Sequence, residues 1–200
     1  MHEVPGDDVR GQAVRICSTA FPDDPMFVQA IPQVARRMAL LPLIFDLVAR
    51  DCVKDGWIDL AERDGHAVGT ALWSDGGGTT TSLRGLLSPE AGRIAALSGL
   101  RGSLRLLSLQ RELDELHKQV ITEPHRYLAM LAVQPTHQGR GVAAELLERG
   151  LKRADEDGLP VYLETNLPRN VEIYRRKGFV VVRRVEHHGF ATWAMLRPVG

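Results

Sequence analysis

The sequence predicts a mixed α/β domain organised around one central sheet. Three observations carry this expectation. Strand-like apolar runs and helix-spaced segments follow one another in the order strand, helices, β-hairpin, helices, strand, helix, strand, helix, strand, strand. With 200 residues, 44% hydrophobic and 25% charged, the chain can bury a substantial core as one domain over 1–200. Its two cysteines, Cys17 and Cys52, are too few for a disulfide framework or a metal-ligand cluster and favour a reducing, cytoplasmic compartment.

Ala13 to Cys17 suits a first strand, and Pro25 to Asp55 reads as helical, broken at Pro32 and Pro42. Trp57 to Glu62 and Ala67 to Trp73 flank Arg63-Asp64-Gly65-His66, where Asp-Gly supplies the positive φ of a tight hairpin. The run Gly76-Gly77-Gly78-Thr79-Thr80-Thr81 reads as a flexible turn. From Pro89 to Val120, Leu97, Leu100, Leu104, Leu107, Leu113, Leu116 and Val120 fall at helical spacing, with Gly99 and Gly102 marking a break. Tyr127 to Val133 is almost wholly apolar and fits a strand buried on both faces.

A helix follows, with Val142, Ala143, Leu146, Leu147, Leu151 and Ala154 inward and the pairs Glu145/Arg149 and Glu148/Lys152 outward. Val161 to Thr165 is the next strand. A short helix then runs from Pro168 to a stop at Gly178, and Phe179 to Val185 and Phe190 to Leu196 form two strands around His187-His188-Gly189. Trp57, Trp73 and Trp193 fall in strands and are expected in the core, with one of them a candidate to line a pocket.

Lys+Arg 25 against Asp+Glu 25 gives a net charge of zero, so no whole-chain field draws the protein to nucleic acid or an anionic membrane, although a local basic face stays open. Neither is expected as a partner. Met38 to Ala49 is interrupted by Pro42 and Asp46 and falls short of the ~20 residues of a membrane span. The opening Met1 to Asp8 lacks the basic head and apolar block of a signal peptide. The seven histidines are scattered, and no metal site is expected.

Chemistry concentrates in Val133-Gln134-Pro135-Thr136-His137-Gln138-Gly139-Arg140-Gly141-Val142-Ala143-Ala144. A buried strand that delivers a small-residue loop to a helix start exposes unpaired N–H groups at the positive end of the helix dipole, which is an anion socket. Gly139 and Gly141 remove side chains where a diphosphate would approach, Ala143 keeps the first turn thin, and Arg140 can add a charge-assisted contact. The segment contains no Gly-x-x-x-x-Gly-Lys-Ser/Thr, and a dinucleotide fingerprint would need a third glycine where Ala144 stands.

Gln138-Gly139-Arg140-Gly141-Val142-Ala143 resembles the Gln/Arg-x-x-Gly-x-Gly/Ala motif of the GNAT superfamily of acyl-CoA N-acetyltransferases. Asn170-Val171-Glu172-Ile173-Tyr174-Arg175-Arg176-Lys177-Gly178-Phe179 is similar to that superfamily's second cofactor segment, Asn-x-x-x-Tyr-x-x-x-Gly-Phe. Around Pro124, Tyr127-Leu128 and His137-Gln138-Gly139 the wording resembles small-molecule members of the puromycin N-acetyltransferase type. The resemblance covers Tyr127 to Leu196. It implies a mixed, mostly antiparallel twisted sheet with helices on both faces, in which the strand ending at Val133 and the strand starting at Val161 splay apart.

In that fold, main-chain groups of Leu131, Ala132 and Val133 would pair with the pantetheine arm of acetyl-CoA. N–H groups from Gln138, Gly139, Arg140, Gly141, Val142, Ala143 and Ala144 would hold the pyrophosphate, Asn170 would bond the pantetheine, and Tyr174 would face the thioester sulfur. A member of Arg175-Arg176-Lys177 could reach the 3′-phosphate. The resemblance divides the chain into an acceptor-side half, 1–124, and a donor-binding half, 125–200.

The implied reaction moves an acetyl group directly to a primary amine of a small molecule. Freeing a lysine-like amine at pH 7 costs about 4.6 kcal/mol, and the departing thiolate needs a proton, which Tyr174 can supply. The base is open between Glu123, His125, His117, Glu164 and a water chain. Alternatives are a protein or peptide N-acetyltransferase and an acyl-CoA-sensing module without turnover. A homodimer is compatible with the sequence.

Overall fold

The structure, a computed structural model, describes residues 6–76 and 89–200. Its helices and strands are α1 (Gly6–Ala20), α2 (Pro25–Ala30), α3 (Val34–Lys54), β1 (Gly56–Arg63), β2 (His66–Ser74), α4 (Pro89–Val120), β3 (Arg126–Val133), α5 (Val142–Glu156), β4 (Val161–Thr165), α6 (Pro168–Arg175), β5 (Val180–His187) and β6 (Phe190–Arg197). A single 3₁₀ turn, Pro135–His137, links β3 to the loop before α5. Most of the glycine-threonine run at 76–81 and most of the Met1 to Asp8 opening lie outside the described residues.

The six strands form one sheet in the order β1-β2-β3-β4-β6-β5, antiparallel except for β3 beside β4. One face packs Val142, Leu146, Leu147 and Leu151 of α5 and Tyr174 of α6 against Val68, Leu128, Leu163 and Met195. The other receives Ala13, Ile16 and Cys17 of α1 and Phe45 and Ala49 of α3 around Leu72 and Ala132. Beyond β4, Leu116 of α4 covers Tyr162 and Ala194.

Five sequence expectations are corrected. Ala13 to Cys17 is helical, because Ala13, Ile16 and Cys17 bury one helical face rather than alternate. The described sheet therefore begins at the hairpin. The break at Pro32 is present, but α3 continues through Pro42. The carbonyl that loses its partner belongs to half-exposed Met38, while Leu40, Leu41 and Phe45 hold the helix from the buried side.

On α5, Glu145 does pair with Arg149, but Glu148 reaches Lys177 and Lys152 faces Glu156 at 3.8 Å. In α4 the break falls at Gly99, whose φ of 67° is outside the helical region, and Leu97, Leu100, Leu104 and Leu107 face solvent rather than the core. Strand β3 is likewise only half-buried at Tyr127, Ala129, Met130 and Leu131, because its neighbour leaves it.

Candidate active site

The parallel contact between β3 and β4 consists of Arg126 opposite Val161 and Tyr127 opposite Tyr162, after which the strands diverge. The closed end is pinned: Arg126 N–H donates to Pro160 O at 2.9 Å, and its guanidinium bonds Asp157 Oδ2 at 2.6 Å and also Asp75. Just past it the pairing with β2 jumps from Trp73–Leu128 to Leu72–Met130, leaving Ala129 as an extra residue. Such a bulge bends its strand. β3 follows β2 as far as Gly69–Val133, and Leu131, Ala132 and Val133 present an edge to the gap that β4 no longer covers.

The loop beyond β3 turns back through two left-handed residues, Gly139 (φ 74°) and Gly141 (φ 80°). Gly141 is the N-cap of α5 and offers no side chain to its first N–H groups. A Cβ on either glycine would meet nothing within 4 Å, so the main chain is approachable from outside. Gln138 folds inward, its Nε2 donating to Val133 O at 3.1 Å, which ties the loop to the strand end. Arg140 is exposed and has no ion-pair partner among the described residues. The combination is an uncapped positive helix end beside an open strand edge.

Asn170 and Tyr174 lie one turn apart on α6. Asn170 Nδ2 reaches Thr165 Oγ1 at 3.3 Å, which fixes it at the end of β4. Tyr174 is buried, edge-on to Phe179 at 5.7 Å between centroids, and its burial raises the phenol well above its ordinary pKa. Tyr174 is therefore a proton-bearing group throughout the neutral range.

Glu164 stands on β4 two residues beyond Tyr162, the last to pair with β3, on the face of Tyr162 and opposite to Leu163. Burial pushes its carboxyl up to about 7, with Asp114 adding a smaller rise, while the phenols of Tyr127 and Tyr162 pull the other way. The Tyr162 hydroxyl is buried and makes no well-formed hydrogen bond among the described residues, so its pull on Glu164 is the weaker, electrostatic kind. Glu164 and Tyr174 thus lie on opposite faces of the sheet.

The other base candidates are committed elsewhere. Glu123 is exposed, and its carbonyl accepts from His125 Nδ1 at 2.7 Å. Since a carbonyl only accepts, His125 Nδ1 carries a hydrogen, and the Nε2 atoms of His125 and His117 lie 2.7 Å apart, one donating to the other. His117 stacks on Tyr162 at 4.2 Å, and burial, then the charges of His125 and Lys118, push it down to about 4. That is too weak a base for an ammonium group. Both thiols are buried, with Cys52 pushed up to about 12 and Cys17 higher still, so neither is an activated nucleophile.

Sequence reasoning missed a polar chain that fixes the far end of this region. Asp24 caps α2 and accepts from Asn166 Nδ2 at 3.3 Å. Thr192 Oγ1 donates to Asn166 Oδ1 at 2.8 Å, and His187 links Thr192 (2.9 Å) to Glu112 (3.0 Å). Its members come from five separate segments, so no spacing announces it. Cavities of about 470 and 380 Å³ flank the β5–β6 turn, the larger lined by Asn166, His187, Phe190 and Trp193. Of the three tryptophans, Trp73 is fully buried, whereas Trp193 lines this cavity.

A six-stranded mixed sheet, opened at its parallel pair and covered by helices on both sides, is the fold of acetyltransferases. It is similar to the histone acetyltransferase HPA2 and related acetyltransferase structure from Corynebacterium glutamicum (TM-score 0.69, 24% identity, covering 100% of this chain and 95% of that one). It also resembles arylalkylamine N-acetyltransferase 2 from Aedes aegypti (TM-score 0.63, 18% identity, 98% and 94%). Residues 26–179 match the Acetyltransferase (GNAT) family, and the chain belongs to that family. A 65-residue stretch is 37% identical to N-alpha-acetyltransferase MAK3 of Arabidopsis thaliana, covering 31% of this chain. The chain spans 22% to 34% of the length of the curated relatives it matches.

Proposed function

We propose that the protein transfers an acetyl group from acetyl-CoA directly to a primary amine of a small molecule. The supporting observation is the gap past Tyr127 and Tyr162, with a base on one face and an acid on the other. The donor's pyrophosphate sits on N–H groups of Gln138 to Ala144 and its pantetheine pairs with Leu131 to Val133, near Asn170. Glu164 takes a proton from the bound ammonium group, and the amine attacks the thioester carbonyl. As the C–N bond forms and the C–S bond breaks, Tyr174 protonates the leaving sulfur, the nitrogen's second proton passes through solvent to restore Tyr174, and Glu164 gives its proton to solvent, so one proton is released overall. With inert thiols, no acyl-enzyme is needed.

The solvent-open cavity at the β5–β6 turn offers the apolar portion of an acceptor a surface at Phe190 and Trp193. The MAK3 match favours a second reading, in which the acceptor is the N-terminus of a peptide. The two buried free thiols support a cytoplasmic, reducing location.

The test is thiol release from acetyl-CoA across small amines and peptides. Turnover with small amines is expected; turnover restricted to peptides selects the second reading, and none with any acceptor removes both. Tyr174→Phe should lower kcat by about 10²-fold while acetyl-CoA affinity stays within a factor of two or so, measured by calorimetry and steady-state kinetics. An unchanged kcat takes the acid role from Tyr174.

A further inference from the structure

Leu100, Leu104, Leu107 and Arg111, on the outward face of α4, line neither cavity at the β5–β6 turn, although Arg105 lines the smaller one. Its inner side is anchored: Leu106 and Leu109 pack against Ala30, Ile31 and Leu40, and Leu116 against Tyr162. Yet Leu100 is 78% exposed, Leu104 58% and Leu107 39%. At about 100° per residue these three and Arg111 fall within about 60° of one another, with Arg101 at the margin. Every ionisable side chain from Ala91 to Arg111 is an arginine: Arg93, Arg101, Arg105 and Arg111. All four are exposed and form no ion pair among the described residues. The chain's zero net charge therefore conceals a local strip that is cationic and apolar at once.

We propose that this face of α4 docks on a lipid bilayer surface bearing anionic headgroups. Leucines along a convex helix enter the acyl boundary without needing a shaped groove, and the bordering arginines stay at headgroup level. A second copy fits poorly. Laying Leu100 on Leu107 across a two-fold axis in antiparallel fashion sets Arg101 of each copy against Arg105 of the other, and a parallel arrangement sets each arginine against its own counterpart. Nucleic acid would satisfy the arginines but leave the leucines in water.

The test is co-sedimentation of the full chain with vesicles of phosphatidylglycerol and phosphatidylcholine in equal parts, against phosphatidylcholine alone. Partitioning is expected to be at least tenfold stronger on the anionic vesicles and to weaken as salt is raised. Leu104→Glu should abolish it, and Arg101→Gln with Arg111→Gln should reduce it severalfold, with circular dichroism and vesicle-free turnover unchanged. Absence of vesicle binding, equal binding to both compositions, indifference to Leu104→Glu, or a dimer in light scattering that Leu104→Glu dissociates would each overturn the proposal.

Discussion

Glu164→Gln is expected to lower kcat/KM by about 10²- to 10³-fold at neutral pH while leaving acetyl-CoA affinity unchanged. The direction of the pH effect follows from the group's charge. A base with a pKa of about 7 is active when deprotonated, so the wild-type rate should climb with pH through that region and then level off. The variant should lose this break and recover only as the amine deprotonates in bulk solvent, at higher pH.

Stability should move the opposite way. The folded-state pKa of Glu164 lies above its unfolded value, so the folded chain binds more protons between about 4.5 and 7, and stability falls as pH rises through that interval. Removing the buried charge should therefore stabilise the fold at pH 8, on the order of 2 kcal/mol. A variant that is slower yet melts higher separates a catalytic cost from a folding defect. Wild-type activity in Glu164→Gln would return the base to solvent.

Gly141→Glu should abolish acetyl-CoA binding, read as a rise in Kd of more than about 10²-fold. Two physical causes act together. Gly141 holds φ at 80°, a conformation a side chain resists at a cost of roughly 1 to 2 kcal/mol. The new carboxylate would also sit at the positive end of α5, where it caps the N–H groups that would otherwise meet phosphate. Gly141→Ala serves as the graded control and should weaken binding much less, by strain alone. Retained affinity in Gly141→Glu would mean that the donor's phosphates lie elsewhere.

The half of the fold from β3 onward was legible because its signals are local. Gly139 and Gly141 mark the backbone conformation the loop requires, and Asp64 (φ 53°) with Gly65 (φ 74°) makes the β1–β2 turn as the dipeptide predicts. Where the pattern was short it misled: five apolar-leaning residues at Ala13 to Cys17 fit a strand until the longer repeat through α1 is considered. The environment of Glu164 could not be read at all. Its raised pKa comes first from burial by tertiary packing, with Asp114 from α4 adding to the rise and Tyr127 from β3 and Tyr162 from β4 opposing it. In α4 the spacing announced a helix, but which leucines faced inward depended on where α2 and α3 lie.

The short parallel contact leaves the two halves of the sheet joined by two residue pairs and one arginine clamp, so the molecule lacks the rungs that would normally lock its centre. A donor lying along Leu131 to Val133 would act as a borrowed seventh strand. Folding and donor binding are then the same event seen from two sides, and saturating acetyl-CoA at about 100 times its Kd should add about 2.7 kcal/mol to the unfolding free energy. Amide exchange in β3 and β4 should slow most, so the protein is expected to gain its full rigidity only when loaded.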